Sequence, residues 1–186
     1  MIGRNRTQQV AAWCVACLVG VICTPVQTWA QASAEDEWRE FQGTWTAIGK
    51  RHVIPLADDR RASIADFDGS LMLTGPSRPA LGFRAEAIVF SDSVTGMVGR
   101  AVWTDERGDQ LFSELRGETT ATGSRLFGTF HGGSGRYTGA TGSYEFSWRF
   151  LLEVEDGTVQ GQSMGLKGQV RAGARRDAPT AGRSRS

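Results

Sequence analysis

A chain of 186 residues, 40% hydrophobic and 22% charged, is long enough for one domain with a core and too short for two of ordinary size. Its 21 basic and 20 acidic residues give a formal net charge of +1, which excludes the electrostatic footprint of a nucleic-acid binder for the chain as a whole. The three cysteines, Cys14, Cys17 and Cys23, all fall in the first thirty residues, which excludes a disulfide framework in everything that follows.

In chain order, residues 1–32 read as a secretory signal. Arg4 and Arg6 precede the apolar run "VAAWCVACLVGVICTPV", and "QTWAQASAEDE" follows with small residues suited to cleavage after Ala30 or Ala32. Pro25 ends the apolar helix early and favours cleavage over a membrane anchor. The large Ile22 before Cys23 argues against lipid attachment, and Asn5 between the two arginines argues against a twin-arginine signal. Cleavage removes Arg4 and Arg6 from the 21 basic residues, leaving 19 against 20 acidic, with no transmembrane segment. The mature protein is expected in the periplasm or outside the cell.

Residues 33–42 form a short N-terminal segment in which "SAEDEWREF", Ser33 to Phe41, is predicted as a helix. Ser33 would cap it, acids fill its first turn, and Trp38 and Phe41 could pack on the domain behind it. From residue 43 to 172 no stretch keeps apolar residues at helical spacing, whereas period-two alternation recurs between turn signals. Eight strands are predicted near "GTWTAIGKRHVIPL", "ASIADFDGSLMLTG", "LGFRAEAIVFSD", "GMVGRAVWTD", "DQLFSELRGE", "SRLFGTFH", "GSYEFSWRFLLEVE" and "TVQGQSMGLKGQVR". Short loops and an even strand count predict an all-β, eight-stranded antiparallel closed barrel, with an open two-sheet sandwich as the other architecture. Residues 173–186 carry Arg175, Arg176, Arg183 and Arg185 against Asp177, with Gly, Pro and Ser between, and are predicted as a disordered basic tail.

The stretch "GTFHGGSGRYTGATGSYEFSW" holds Gly132, Gly133, Gly135, Gly139 and Gly142 between two strands. A dinucleotide fingerprint needs G-x-G-x-x-G opening a helix; here both spacing and context fail, and the glycines are predicted to turn the backbone. These residues, "GGSGRYTGATGSY", resemble the glycine-rich segment before a late strand in the allene oxide cyclase and dirigent superfamily, and the eight-strand plan fits the same resemblance. An exported bacterial member is what it implies: a barrel with a lumen, small organic ligands, and dimers or trimers. It carries no catalytic residue over to this chain.

Strand parity divides the side chains into two faces. On the seventh predicted strand Tyr144, Phe146 and Trp148 share one face while Glu145 and Arg149 share the other, and parity alone leaves open which face lines the lumen. If the aromatics face out, mid-strand charges enter the lumen, and Glu86, Arg100, Glu114 and Arg149 become candidate catalytic groups for proton transfer. If they face in, the charged row is solvated. The candidate ligand-binding side chains are Trp103, Phe112, Tyr144, Phe146 and Trp148. His52 and His131 are too few for a zinc site, and the acids Asp105, Glu106 and Asp109 read as turn residues, so neither metal nor cofactor is expected. Three functions remain open: binding of a small, mostly apolar molecule in the lumen; an isomerase or cyclase with a luminal carboxylate; and a structural envelope protein with a filled barrel, its aromatic face making a homo-oligomer.

Overall fold

Eight strands close on themselves in sequence order in the computed structural model, which describes residues 38–75, 78–120 and 123–173. They are β1 Arg39–Pro55, β2 Arg61–Gly75, β3 Arg78–Asp92, β4 Gly96–Asp105, β5 Gln110–Thr120, β6 Gly123–Gly133, β7 Thr141–Glu153 and β8 Thr158–Arg171. Each pairs antiparallel with its neighbour, and β1 pairs with β8, so no edge is left to template another chain. The closed barrel expected from the alternation is present, and the open sandwich is not.

One local expectation is overturned. Arg39, Glu40 and Phe41 are not helical but begin β1, opposite Val170, Gln169 and Gly168 of β8. A helix of about nine residues has little stability of its own in water. The ladder to β8 satisfies the same backbone and places Phe41, 8% exposed, inside the barrel. Trp38, just before β1, is 46% exposed with the Arg171 guanidinium over its ring at 5.4 Å, whereas residues 33–37, the signal at 1–32 and the tail from residue 174 lie outside the described residues.

The aromatic face points in. Phe41, Trp45, Phe67, Phe83, Trp103, Phe130, Tyr144, Phe146 and Trp148 are all at most 8% exposed and belong to one cluster with Leu71, Leu115 and Leu166. Large rings alternate with small residues along the strands: Trp45 with Ala47, Ala65 with Phe67, Phe83 with Ala85 and Ala87, Ala101 with Trp103. That alternation lets rings from opposite walls interdigitate in a barrel only wide enough for side chains. Gly128 shows the limit: a Cβ built there would stand 2.0 Å from Cζ of Tyr144, its cross-strand partner, so the tyrosine ring occupies the volume the glycine gives up.

The waist is filled. The void bounded by Trp45, Leu71, Trp103, Leu115, Tyr144 and Phe146 measures about 10 Å³, at the lower limit for a single water. There the Tyr144 hydroxyl lies 2.8 Å from Ser113 Oγ, which donates to the Ala101 carbonyl at 3.4 Å. Tyr144 therefore donates to Ser113, and the relay ends on backbone. Burial drives the Tyr144 phenol well above its usual pKa, with the Ser113 hydrogen bond opposing, so this group stays protonated.

Candidate functional site

Above and below the waist the lumen opens into two cavities. The larger, about 610 Å³, lies at the end of the barrel carrying the β6–β7 connection. Its apolar walls include Phe41, Phe83, Trp103, Leu111 and Phe130. The smaller, about 300 Å³, lies at the other end against Trp45, Phe67, Phe146, Trp148 and Phe150. Both fall in the size range of small-molecule sites. A groove of about 850 Å³ also runs over the outer wall, past the exposed polar side chains of Gln42, Thr74, Thr129, Ser143 and Gln169. Among the described residues it collects no buried, unpaired polar group.

The glycine connection builds one wall of the larger cavity. Its single 3-10 turn, Gly135–Tyr137, is clamped to the β4–β5 hairpin: Ser134 N–H donates to the Gln110 carbonyl at 2.8 Å, and Gln110 N–H donates to Ser134 Oγ at 3.0 Å. Arg136 N–H donates to Asp109 Oδ2 at 3.3 Å, and Arg136 Nε donates to Asp105 Oδ2 at 2.7 Å. Gly135 has φ +52°, which favours glycine, and a Cβ there would lie 1.8 Å from Asp109 Oδ1 and displace that carboxylate. Gly133 has ordinary φ but no room, since its Cβ would meet the Gln110 carbonyl oxygen at 2.1 Å. Gly132, Gly139 and Gly142 also have positive φ. The loop joins strand to strand and opens no helix.

This clamp fixes Tyr137, whose ring packs on Phe83 at a centroid distance of 5.9 Å and under the Arg136 guanidinium at 5.1 Å. The Tyr137 hydroxyl is buried and makes no hydrogen bond of full geometry among the described residues, with Asp105 and Arg136 close enough to act on it. Burial pushes its pKa up to about 12, so it remains a neutral donor across physiological pH. Asp105, with no side-chain exposure, stands behind it. Burial alone would raise the Asp105 carboxyl, but N–H groups of Arg107 and Asp109 and the Arg136 guanidinium outweigh it and hold the group ionised below the usual carboxylate range. Asp105 thus does turn and anchoring work on groups already in the chain.

At the other cavity, a register shift between Gly43 and Thr46 interrupts the β1–β8 ladder, and the freed Trp45 N–H donates to Ser163 Oγ at 2.7 Å. This bulge sets the Trp45 indole beside that of Trp148, centroids 4.9 Å apart at 45°. Both side chains are more than nine-tenths buried, and neither Nε1–H has a hydrogen-bond partner among the described residues.

The residues expected from sequence divide accordingly. Trp103 lines the larger cavity, Phe146 and Trp148 the smaller, and Tyr144 the waist between them. Phe112 does not join them: its parity on β5 is opposite to that of Leu111 and Ser113, and it stands 40% exposed on the outer wall. Glu86, Arg100, Glu114 and Arg149 are also on the outer wall, because the aromatics occupy the other parity. Glu86 pairs with Arg84 at 3.1 Å; Glu114 lies 3.0 Å from Arg116, 3.7 Å from Arg100 and 3.6 Å from His131. These are exposed or half-exposed pairs of the kind that contribute little. The aromatic row of β7 is likewise unavailable as an interface between copies, since Phe146 and Trp148 are 4% and 5% exposed. Tyr137 and Trp45 were missed by the sequence reading. Tyr137 sits in a glycine loop with no strand parity, and only the unusual proximity of an aromatic to "GGSGR" hinted at it.

No protein-family model matches the chain, and no curated protein matches it in sequence. Among solved structures, the chain is similar to the pterocarpan synthase dirigent protein GePTS1, at 14% identity and a TM-score of 0.45, over 74% of this chain and 92% of that one.

Proposed function

We propose that this is an exported barrel protein that binds a small, mostly apolar molecule at the glycine-loop end of its lumen. The observation that carries the reading is an aromatic-walled cavity of about 610 Å³, with the Tyr137 ring fixed in its wall beside Asp105 and Arg136. Apolar walls supply affinity by removing ligand surface from water. The Asp105–Arg136 pair holds the loop that carries Tyr137, so this wall of the pocket is preorganised rather than formed on contact. Export is supported by the basic, apolar and small-residue succession of residues 1–32.

A luminal carboxylate for isomerisation has no support from Glu86 or Glu114, which face solvent. A barrel filled along its whole length would favour a purely structural role; here filling is confined to the waist. The test is titration of the purified mature protein with the apolar fluorophore N-phenyl-1-naphthylamine. Saturable emission enhancement, abolished by Leu81→Trp at the cavity wall, is the expected result. Absence of enhancement, or enhancement indifferent to Leu81→Trp, overturns the reading.

A further inference from the structure

We infer that the opposite end of the barrel is a second binding site, built for a planar aromatic molecule that carries a carboxylate. It does not rest on the glycine-loop cavity, from which the filled waist at Leu71, Leu115, Tyr144 and Phe146 divides it.

The lining changes from rings to hydroxyls on the way from the waist to the mouth. Along β2, Leu71, Phe67 and Ala65 face inward, and Ser63 follows on the same parity near the strand's start at Arg61. Ser91 of β3 stands directly opposite Ser63, and Thr119 of β5 stands opposite Ser124 of β6 on the other wall. All four line the cavity, and no hydrogen bond among the described residues engages the Ser63 or Ser91 hydroxyl.

Arg51 adds the charge. It is the cation among the described lining residues, and none of those residues is acidic. It shares the inward parity of Trp45 and Ala47 and stands opposite Ala65, one diagonal step from Ser63 and within the reach of a long side chain. Its guanidinium lies over the ring of Phe150, itself a lining residue, at 5.4 Å, and donates from Nη1 to Glu153 Oε1 at 3.2 Å. That contact uses one of five N–H donors, and Glu153, 53% exposed, holds it no more strongly than surface pairs hold.

Rings below, with a cation and hydroxyls above, fix the polarity of the occupant. A volume of about 300 Å³ takes one or two fused rings. The angled pairs Trp45 to Trp148, 4.9 Å, and Phe67 to Trp148, 5.0 Å, receive a further aromatic plane by offset or edge contact. A carboxylate on that plane, pointing to the mouth, meets the remaining guanidinium donors and the Ser63 and Ser91 hydroxyls in charge-assisted hydrogen bonds. It is paired there and still touches water, so it escapes the cost of a buried lone charge. A cation in the same place would face Arg51, and a plain hydrocarbon would leave these donors unused.

2-Naphthoate and 2-naphthamide separate charge from ring burial, since they share a fused two-ring plane and differ in the head group. Isothermal titration is run on the mature protein and on Leu81→Trp, which blocks the glycine-loop cavity. In both, naphthoate should bind about tenfold more tightly than naphthamide at low salt, the gain expected of a hydrogen bond to a charged group. Arg51→Met should keep naphthamide binding and abolish the preference. Glu153→Gln, which releases the guanidinium, should raise naphthoate affinity about twofold to fivefold. Should Arg51→Met not fold, the Glu153→Gln titration decides. Binding of neither probe, equal affinity for the two, a preference lost in Leu81→Trp, a preference that survives Arg51→Met, or a naphthoate affinity indifferent to Glu153→Gln overturns the inference.

Discussion

Replacing Gly128 by alanine tests whether the waist of this barrel is as closely filled as its geometry implies. The added Cβ would stand 2.0, 2.2 and 2.5 Å from Cζ, Cε1 and Cε2 of Tyr144. That ring has nowhere to go, being 4% exposed and packed against Trp103 at 4.7 Å, Phe130 at 5.0 Å and Phe146 at 6.2 Å. Overpacking of this kind costs roughly 1–3 kcal/mol, and displacement of the hydroxyl from Ser113 adds about 1 kcal/mol, so the variant should lose about 3 kcal/mol. With a urea m-value of about 2 kcal/mol/M the unfolding midpoint falls by about 1.5 M, followed by tryptophan fluorescence. Gly82→Ala is the control, because its nearest neighbour, Met72 Cε, is 3.9 Å from the new atom. Tyr144→Leu in the Gly128→Ala background should recover much of the loss, a coupling of about 2 kcal/mol between contacting residues. If Gly128→Ala unfolds with the control, the account of a ring seated over glycine is wrong.

Other substitutions and pH probe the remaining parts. Gly135→Val meets both positive φ and the Asp109 carboxylate, and should destabilise by about 1 kcal/mol or more; unchanged thermal melting would contradict the loop geometry. The Arg60 guanidinium, then the Val94 N–H, hold the Asp92 carboxyl at about 2 in the folded protein. Since that lies below its unfolded value, the stabilisation is complete above about pH 4 and is lost as pH falls toward 2. Melting of Asp92→Asn should therefore decline less steeply over that window than the parent, and identical acid limbs would refute the assignment. Glu86→Gln and Glu114→Gln alter only outer-wall pairs and should change stability by less than about 0.5 kcal/mol, with luminal probe capture intact. Loss of capture in either would place those carboxylates in the lumen after all.

The strands were legible because alternation is local: "SYEFSWRF" or "FRAEAIVF" shows its two faces without reference to any neighbour. Which face turns inward was harder, since β3 offers Phe83, Ala85 and Ala87 on one side and Ile88 and Phe90 on the other. The deciding signal was present but distributed. Ala47, Ala65, Ala85, Ala87 and Ala101 share their parity with Trp45, Phe67, Phe83 and Trp103, and small residues among rings are what a narrow interior requires. Arg39–Phe41 could not be read as strand because its partner, Gly168–Val170, is more than a hundred residues away. The division of the lumen was equally hidden. It depends on Leu71, Leu115 and Tyr144 meeting from different walls, and on a bulge in β1 that turns Trp45 toward Trp148.

The central claim, that the open ends of this barrel hold a small apolar molecule, is tested most directly by native mass spectrometry of the mature protein isolated from its own source. Denaturation should release a reproducible passenger whose mass accounts for the excess over the bare chain and whose retention falls in Leu81→Trp. A protein that flies at the mass of the chain alone, and that still fails to take up N-phenyl-1-naphthylamine, would contradict the claim and leave a barrel whose aromatic lumen serves only to hold its walls together.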